Sequence, residues 1–172
     1  MCLTACEFES RPGHHNMKKG IDYTGITVVF LCHDGNGRFI MAKRSNQCRD
    51  EGDKWDVGAD SLDFDEQVER ALHREIKEEY CTDVINSSYL GFRDVHRINE
   101  GHKTHWLALD HLVQVSKDQV AIGEPHKIVE LKWFNLENMP DAISSHSQLP
   151  IFWKKYKDEL KNQLQVPVDR VN

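Results

Sequence analysis

A chain of 172 residues with 39% hydrophobic and 29% charged residues has the make-up of a soluble globular protein with a sizeable core, not of a disordered chain. Its longest apolar run, residues 26–32, is far too short to span a bilayer, which excludes a membrane partner of the spanning kind. A formal net charge of -6 argues against an extended basic surface for nucleic acid, so an anionic small molecule would need a local cation.

Residues 1–20 show no periodicity and are predicted to be a mobile N-terminal extension, leaving residues 21–172 as a single domain. Leu3-Thr4-Ala5-Cys6 has the look of a lipoprotein cleavage site but lacks the charged and apolar regions that precede one. The five cysteines, Cys2, Cys6, Cys32, Cys48 and Cys81, are odd in number and form no Cys-x-x-Cys pair. Reduced thiols and a cytoplasmic location are the expectation.

Residues 26–32 and 39–43, rich in β-branched and aromatic side chains, flank His33-Asp34-Gly35-Asn36-Gly37 and predict a hairpin, with Cys32 in the core. Residues 44–54 are a polar loop, followed by Trp55 and a short alternating stretch over residues 59–65. An amphipathic helix is predicted over residues 66–80, with Asp65 placed to cap it. Strands follow at residues 88–95 and 104–115, paired across Asn99-Glu100-Gly101-His102. A polar loop at 122–127 holds Gly123-Glu124-Pro125, and a further strand covers 130–134. Phe152, Trp153, Tyr156, Leu160 and Leu164 recur at helical spacing and predict a second helix from about Leu149, its aromatic stripe facing the core. No repeat or linker breaks the chain, which reads as one α/β domain.

The first helix carries the chemistry. At about 100° per residue, Val68, Ala71, Leu72 and Ile76 share an arc of about 140°. Glu75, Glu78 and Glu79 fall within or beside that arc, whereas Arg70, His73 and Lys77 take the far side. Carboxylates crowded at the edge of a buried face repel one another and lose hydration, so they need a compensating cation. A hard divalent metal with oxygen ligands is the economical candidate.

The run Arg74-Glu75-Ile76-Lys77-Glu78-Glu79 resembles the core of the Nudix box, in which a glycine and a glutamate precede Arg-Glu-apolar-x-Glu-Glu-x-Gly-apolar. Here the first glutamate is Glu66, the first glycine position is Asp60 and the second is Cys81. The core matches fully, and both glycines are replaced. The hairpin ahead of the box, Trp55, and Glu130-Leu131-Lys132-Trp133-Phe134 after it extend the likeness from about Tyr23 to Leu164. The resemblance to the Nudix (MutT-type) hydrolase family implies a mixed sheet sandwiched between α-helices, with the box as loop, helix and loop.

It also implies hydrolysis of a phosphoanhydride bond in a nucleoside diphosphate linked to another moiety. Mg2+, with Mn2+ as the alternative, would neutralise phosphate charge and acidify water. Glu75, Glu78 and Glu79 occupy the metal-binding positions, joined by the backbone carbonyl of Asp60. Arg74 would orient the carboxylates, with Glu66 as its ion-pair partner. Glu75, Glu78, Glu79 or a carboxylate from a distant loop would activate water, and Glu124 is preferred over Glu130 for that outside role. The resemblance allows a homodimer.

The replaced glycines put the loop geometry in question. Asp tolerates positive φ better than most residues at Asp65, but Cys81 is a poor helix terminator. Two other functions stay open: a non-catalytic nucleotide-binding or regulatory module on the same fold, and an isoprenoid diphosphate isomerase, to which Cys48 points but which lacks its histidine-rich pattern here. Arg93 and Arg97 are candidates for gripping phosphate or for ordinary salt bridges. His96, His102 and His105 surround the second hairpin without metal-ligand spacing in sequence, and solvated or core roles are expected for them.

Overall fold

The computed structural model describes residues 17–48, 51–144 and 148–164. Residues 1–16 of the extension expected over residues 1–20, with Cys2 and Cys6, lie outside them. Residues 18–20 pack against the domain: Lys19 Nζ donates to the Leu62 carbonyl at 2.8 Å and the His105 amide donates to the Gly20 carbonyl at 2.8 Å.

Strands β1 (Gly25–His33) and β2 (Phe39–Arg44) form the predicted hairpin. The Asp34 carboxylate shapes its turn by accepting from the Asn36 and Arg38 amides at 2.8 and 3.1 Å. Short strands β3 (Trp55–Asp56) and β4 (Gly58–Ser61) follow, then helix α1 (Val68–Tyr80). Strands β5 (Val84–Asn99) and β6 (His102–Val115) are longer than the sequence suggested, because polar Asn86, Ser87 and Ser88 hide the start of β5. Their two-residue turn places Glu100 at φ 49° and Gly101 at φ 79°. Positive φ at both central positions gives a turn whose twist matches that of the strands. Strand β7 (Ile128–Phe134) and helix α2 (Leu149–Leu164) complete the order.

Seven strands form one mixed sheet with the path β3-β2-β1-β6-β5, in which β4 pairs with β1 and β7 with β2. The β1–β6 pair is parallel and the others are antiparallel. Alternation along the strands then builds two cores. Phe30, Cys32, Ile40 and Ala42 meet Leu72, Ile76 and Tyr80 of α1, and Val29, Leu31, Phe39 and Met41 meet Phe152, Tyr156, Leu160 and Leu164 of α2. The sheet is therefore sandwiched between the helices, as expected, and the aromatic stripe of α2 is core. Among the described residues no helix is long and apolar enough to cross a membrane.

The helix start corrects one expectation. Asp65 does not cap α1; Gln67 takes the cap position without a side-chain hydrogen bond. Asp65 is spent on the preceding turn, where it holds φ 63°. Asp can adopt this left-handed conformation, which suits the short polar side chains of Asp and Asn better than most others.

Candidate active site

Helix α1 presents its carboxylates as the periodicity implies. Arg70, His73 and Lys77 are exposed, while Glu75 and Glu79 are buried, at 2% and 7% exposure, one turn apart on the face turned to β4. Pairing of β4 with β1 sets Asp60 opposite Val28, beside that face. One carboxylate oxygen each from Asp60, Glu75 and Glu79 then lies within 4.8 Å of the others. Asp60 joins through its side chain; its backbone carbonyl accepts from Thr27 Oγ at 2.7 Å. Glu78 stays outside this trio, its side chain 53% exposed and 3.4 Å from Arg74.

Arg74 fixes the edge of the trio. Its Nε and Nη2 donate to the two carboxylate oxygens of Glu66, each at 2.9 Å, and its Nη1 donates to Glu75. This bidentate contact holds Glu66 down at about 2. Burial, followed by the Asp60 charge, pushes Glu75 up to about 7 despite Arg74. Burial and then the Glu75 charge push Glu79 well above the ordinary carboxylate range, against the opposing charge of Lys127. Burial and the Asp60 charge act on both acids, and a divalent cation among the three carboxylates would relieve that repulsion. An all-oxygen donor set of three carboxylates fits a hard ion such as Mg2+.

The loop after β6 closes the C-terminal end of α1. The Ala121 amide donates to the Tyr80 carbonyl at 3.0 Å and the Gly123 amide to the Glu79 carbonyl at 2.9 Å, serving acceptors the helix leaves open. Gly123 is required there, since a Cβ would lie 1.8 Å from the Glu78 carbonyl oxygen. Docking of this loop brings Glu124 and Lys127 to the site. Lys127 Nζ is 2.8 Å from Glu124 and 3.5 Å from Asp60. Burial alone would lower Lys127, but the Glu124 hydrogen bond and the Asp60 and Glu79 charges outweigh it and raise its pKa. Sequence reasoning missed Lys127; the only sequence signal was a basic residue three places after Glu124. Glu130 is exposed on β7, across from Lys43.

Asp60 and Glu79 of the trio line a cleft of about 550 Å³, together with Lys127, Arg97, Trp106 and Cys48 among others. Arg93 also faces the cleft, but it is buried and its Nε and Nη2 donate to Asp110 at 2.6 and 2.8 Å. Tyr156 of α2 donates to the same carboxylate at 2.8 Å. Asp110 of β6 thus ties Arg93 of the cleft floor to Tyr156 of α2. Cys48 donates to the Lys127 carbonyl at 3.3 Å.

The replaced glycines find different answers. Asp60 lies in an extended strand, where no left-handed conformation is needed. Cys81 does occupy the left-handed helix terminus, at φ 55°. The helix therefore ends as a glycine would end it, at the cost of some strain.

The family model described as NUDIX domain matches residues 23–153. Among solved structures, a MutT NUDIX hydrolase from Burkholderia pseudomallei is 24% identical with a TM-score of 0.65, covering 76% of this chain and 97% of its own. The MutT protein of Methanosarcina mazei Go1 is 21% identical with a TM-score of 0.67, covering 80% and 96%. The NUDIX domain of Shewanella oneidensis NrtR, complexed with ADP ribose, is 17% identical with a TM-score of 0.61, covering 92% and 99%. A search of curated proteins by sequence returns no match.

Proposed function

The chain belongs to the Nudix family, and on that premise we propose that it is a Mg2+-dependent pyrophosphohydrolase of a nucleoside diphosphate linked to another moiety. The observation that carries this reading is the convergence of Asp60, Glu75 and Glu79, two of them buried with raised pKa values, beside a cleft that Asp60 and Glu79 line. The ADP ribose bound by the Shewanella neighbour supports a ligand of the same class.

In this reading Asp60, Glu75 and Glu79 hold the cation, and Glu78 serves as a reserve ligand at the exposed edge. The ion, when bound, neutralises phosphate charge and makes water easier to deprotonate. Arg74 keeps Glu75 in place and Glu66 keeps Arg74 in place. Lys127, held protonated by its acidic neighbours, meets a phosphate oxygen in the cleft. Glu124 stands outside the trio, held by Lys127, and takes the proton from the attacking water. Free Cys32, Cys48 and Cys81 suit a reducing, cytoplasmic location.

A panel of nucleoside triphosphates, sugar nucleotides, dinucleotides, ADP ribose and a prenyl diphosphate, assayed for phosphate-containing and isomerised products with Mg2+ and with chelator, tests this function. Mg2+-dependent release from one class is the expected result. Tight binding with no turnover of any member would instead favour a nucleotide-binding module, and isomerised prenyl diphosphate without phosphate release would favour the isomerase.

A further inference from the structure

Strand β5 turns two different faces outward. Arg93, Val95 and Arg97 look into the cleft, so alternation sends Asp94 and His96 to the opposite side of the ladder. There His96 stands directly across from His105 of β6. The two imidazoles stack with centroids 4.2 Å apart and planes inclined by 19°. Asp94 is the diagonal neighbour, its Oδ1 3.1 Å from His105 Nε2. The other nitrogen of that ring, Nδ1, meets Thr24 Oγ at 3.1 Å. One ligand atom each from Asp94, His96 and His105 lies within 4.8 Å of the others.

We propose that Asp94, His96 and His105 form a second metal site, for a borderline divalent ion of the zinc class, separate from the carboxylate trio. Two imidazole nitrogens and one carboxylate oxygen favour Zn2+, Ni2+ or Cu2+ over Mg2+. The trio, with oxygen donors only, has the reverse preference. Tetrahedral Zn2+ with bonds of about 2.0–2.1 Å sets its ligands about 3.3 Å apart, a spacing that small rotations of these solvent-accessible side chains reach from 4.8 Å. Thr24 occupies Nδ1 of His105 and thereby directs Nε2 to the ion, the kind of orienting contact that metal-binding histidines use. An ion pair explains only one of the two imidazoles. Ring nitrogens bind a metal in the ring plane, so a bound ion would open the stack and turn both rings towards it. Three protein ligands leave a further position for water. The bound ion would clamp β5 to β6 over the stretch whose other face carries Arg93, Val95 and Arg97.

The test is Zn2+ titration of the full chain in saturating Mg2+, read against a chromogenic chelator, for wild type and the His96→Asn/His105→Asn double variant. These positions lie on the outer face of the hairpin, so the variant keeps the wild-type circular dichroism. The wild type is expected to bind one more equivalent of Zn2+ than the double variant. Asp94→Asn should weaken that equivalent at least tenfold, and Thr24→Val by about tenfold. Ring-nitrogen NMR signals of His96 and His105 should shift on adding one equivalent. Equal Zn2+ stoichiometry and affinity in wild type and double variant would overturn the proposal, as would Zn2+ uptake that Mg2+ abolishes completely.

Discussion

Glu75→Gln should make the metal-free protein more stable at alkaline pH while removing its response to Mg2+. Glutamine keeps the shape of Glu75 and an oxygen for Arg74 but never ionises. In the unfolded chain Glu75 titrates near 4.5, and in the folded, metal-free protein near about 7. The folded state therefore holds this proton more tightly. The resulting stability is fully present below about pH 4.5 and is lost as pH rises through about 7. A shift of that size, at about 1.36 kcal/mol per unit, corresponds to about 3 kcal/mol. Relaxation and water entry around the buried carboxylate trim it to about 2 kcal/mol. For a domain of this length that is a Tm gain of roughly 4–8 °C for the variant at pH 8. At pH 5 the gain should shrink almost to nothing, because wild-type Glu75 is then protonated when folded. Thermal melts in chelator from pH 5 to 8 read this directly, and repeating them in Mg2+ should reverse the order at pH 8. A difference that ignores pH, or a variant less stable than wild type at pH 8 without metal, would refute the reasoning.

Three further substitutions probe the supports of the site. Arg74→Lys removes the fork that bridges Glu66 and Glu75, and kcat/KM should fall about 10²-fold in steady-state assays with little loss of helix content. Gly123→Ala forces a Cβ against the Glu78 carbonyl; urea unfolding should show a loss of about 1–3 kcal/mol, and KM should rise as Glu124 and Lys127 shift. Cys81→Gly relieves the left-handed helix terminus and should add about 1 kcal/mol of stability by the same measurement, with kcat unchanged.

Local periodicity made much of this architecture legible. The turn residues between β1 and β2, the apolar arc of α1 and the aromatic stripe of α2 each depend on neighbours within two turns or one hairpin. The same arc located Glu75 and Glu79 on the buried face, and the resemblance to the box, not the helical spacing, suggested the pairing of Arg74 with Glu66. What escaped the sequence depends on contacts between distant segments. Asp60 joins the trio through its side chain because β4 pairs with β1, a register no local pattern reveals. Lys127 reaches the trio because the loop at 121–124 docks on the end of α1. The length of β5 was hidden by polar residues that the bulges near Asn86 and Gly91 accommodate. Register also explains the histidines: His96 and His105 are nine positions apart in the chain, yet directly opposite in the ladder. Arg93 read as a phosphate or surface partner because Asp110 and Tyr156, its buried companions, belong to other elements.

The claim at the centre is that the buried trio performs metal-dependent phosphoanhydride hydrolysis. Its most direct test is turnover of the best substrate in Mg2+ by wild type and by Glu79→Gln, with folding verified for both. The account predicts a loss of at least about 10²-fold in kcat/KM for the variant, and none of the wild-type activity in chelator. Turnover unaffected by Glu79→Gln, or wild-type turnover that persists without metal, would contradict it.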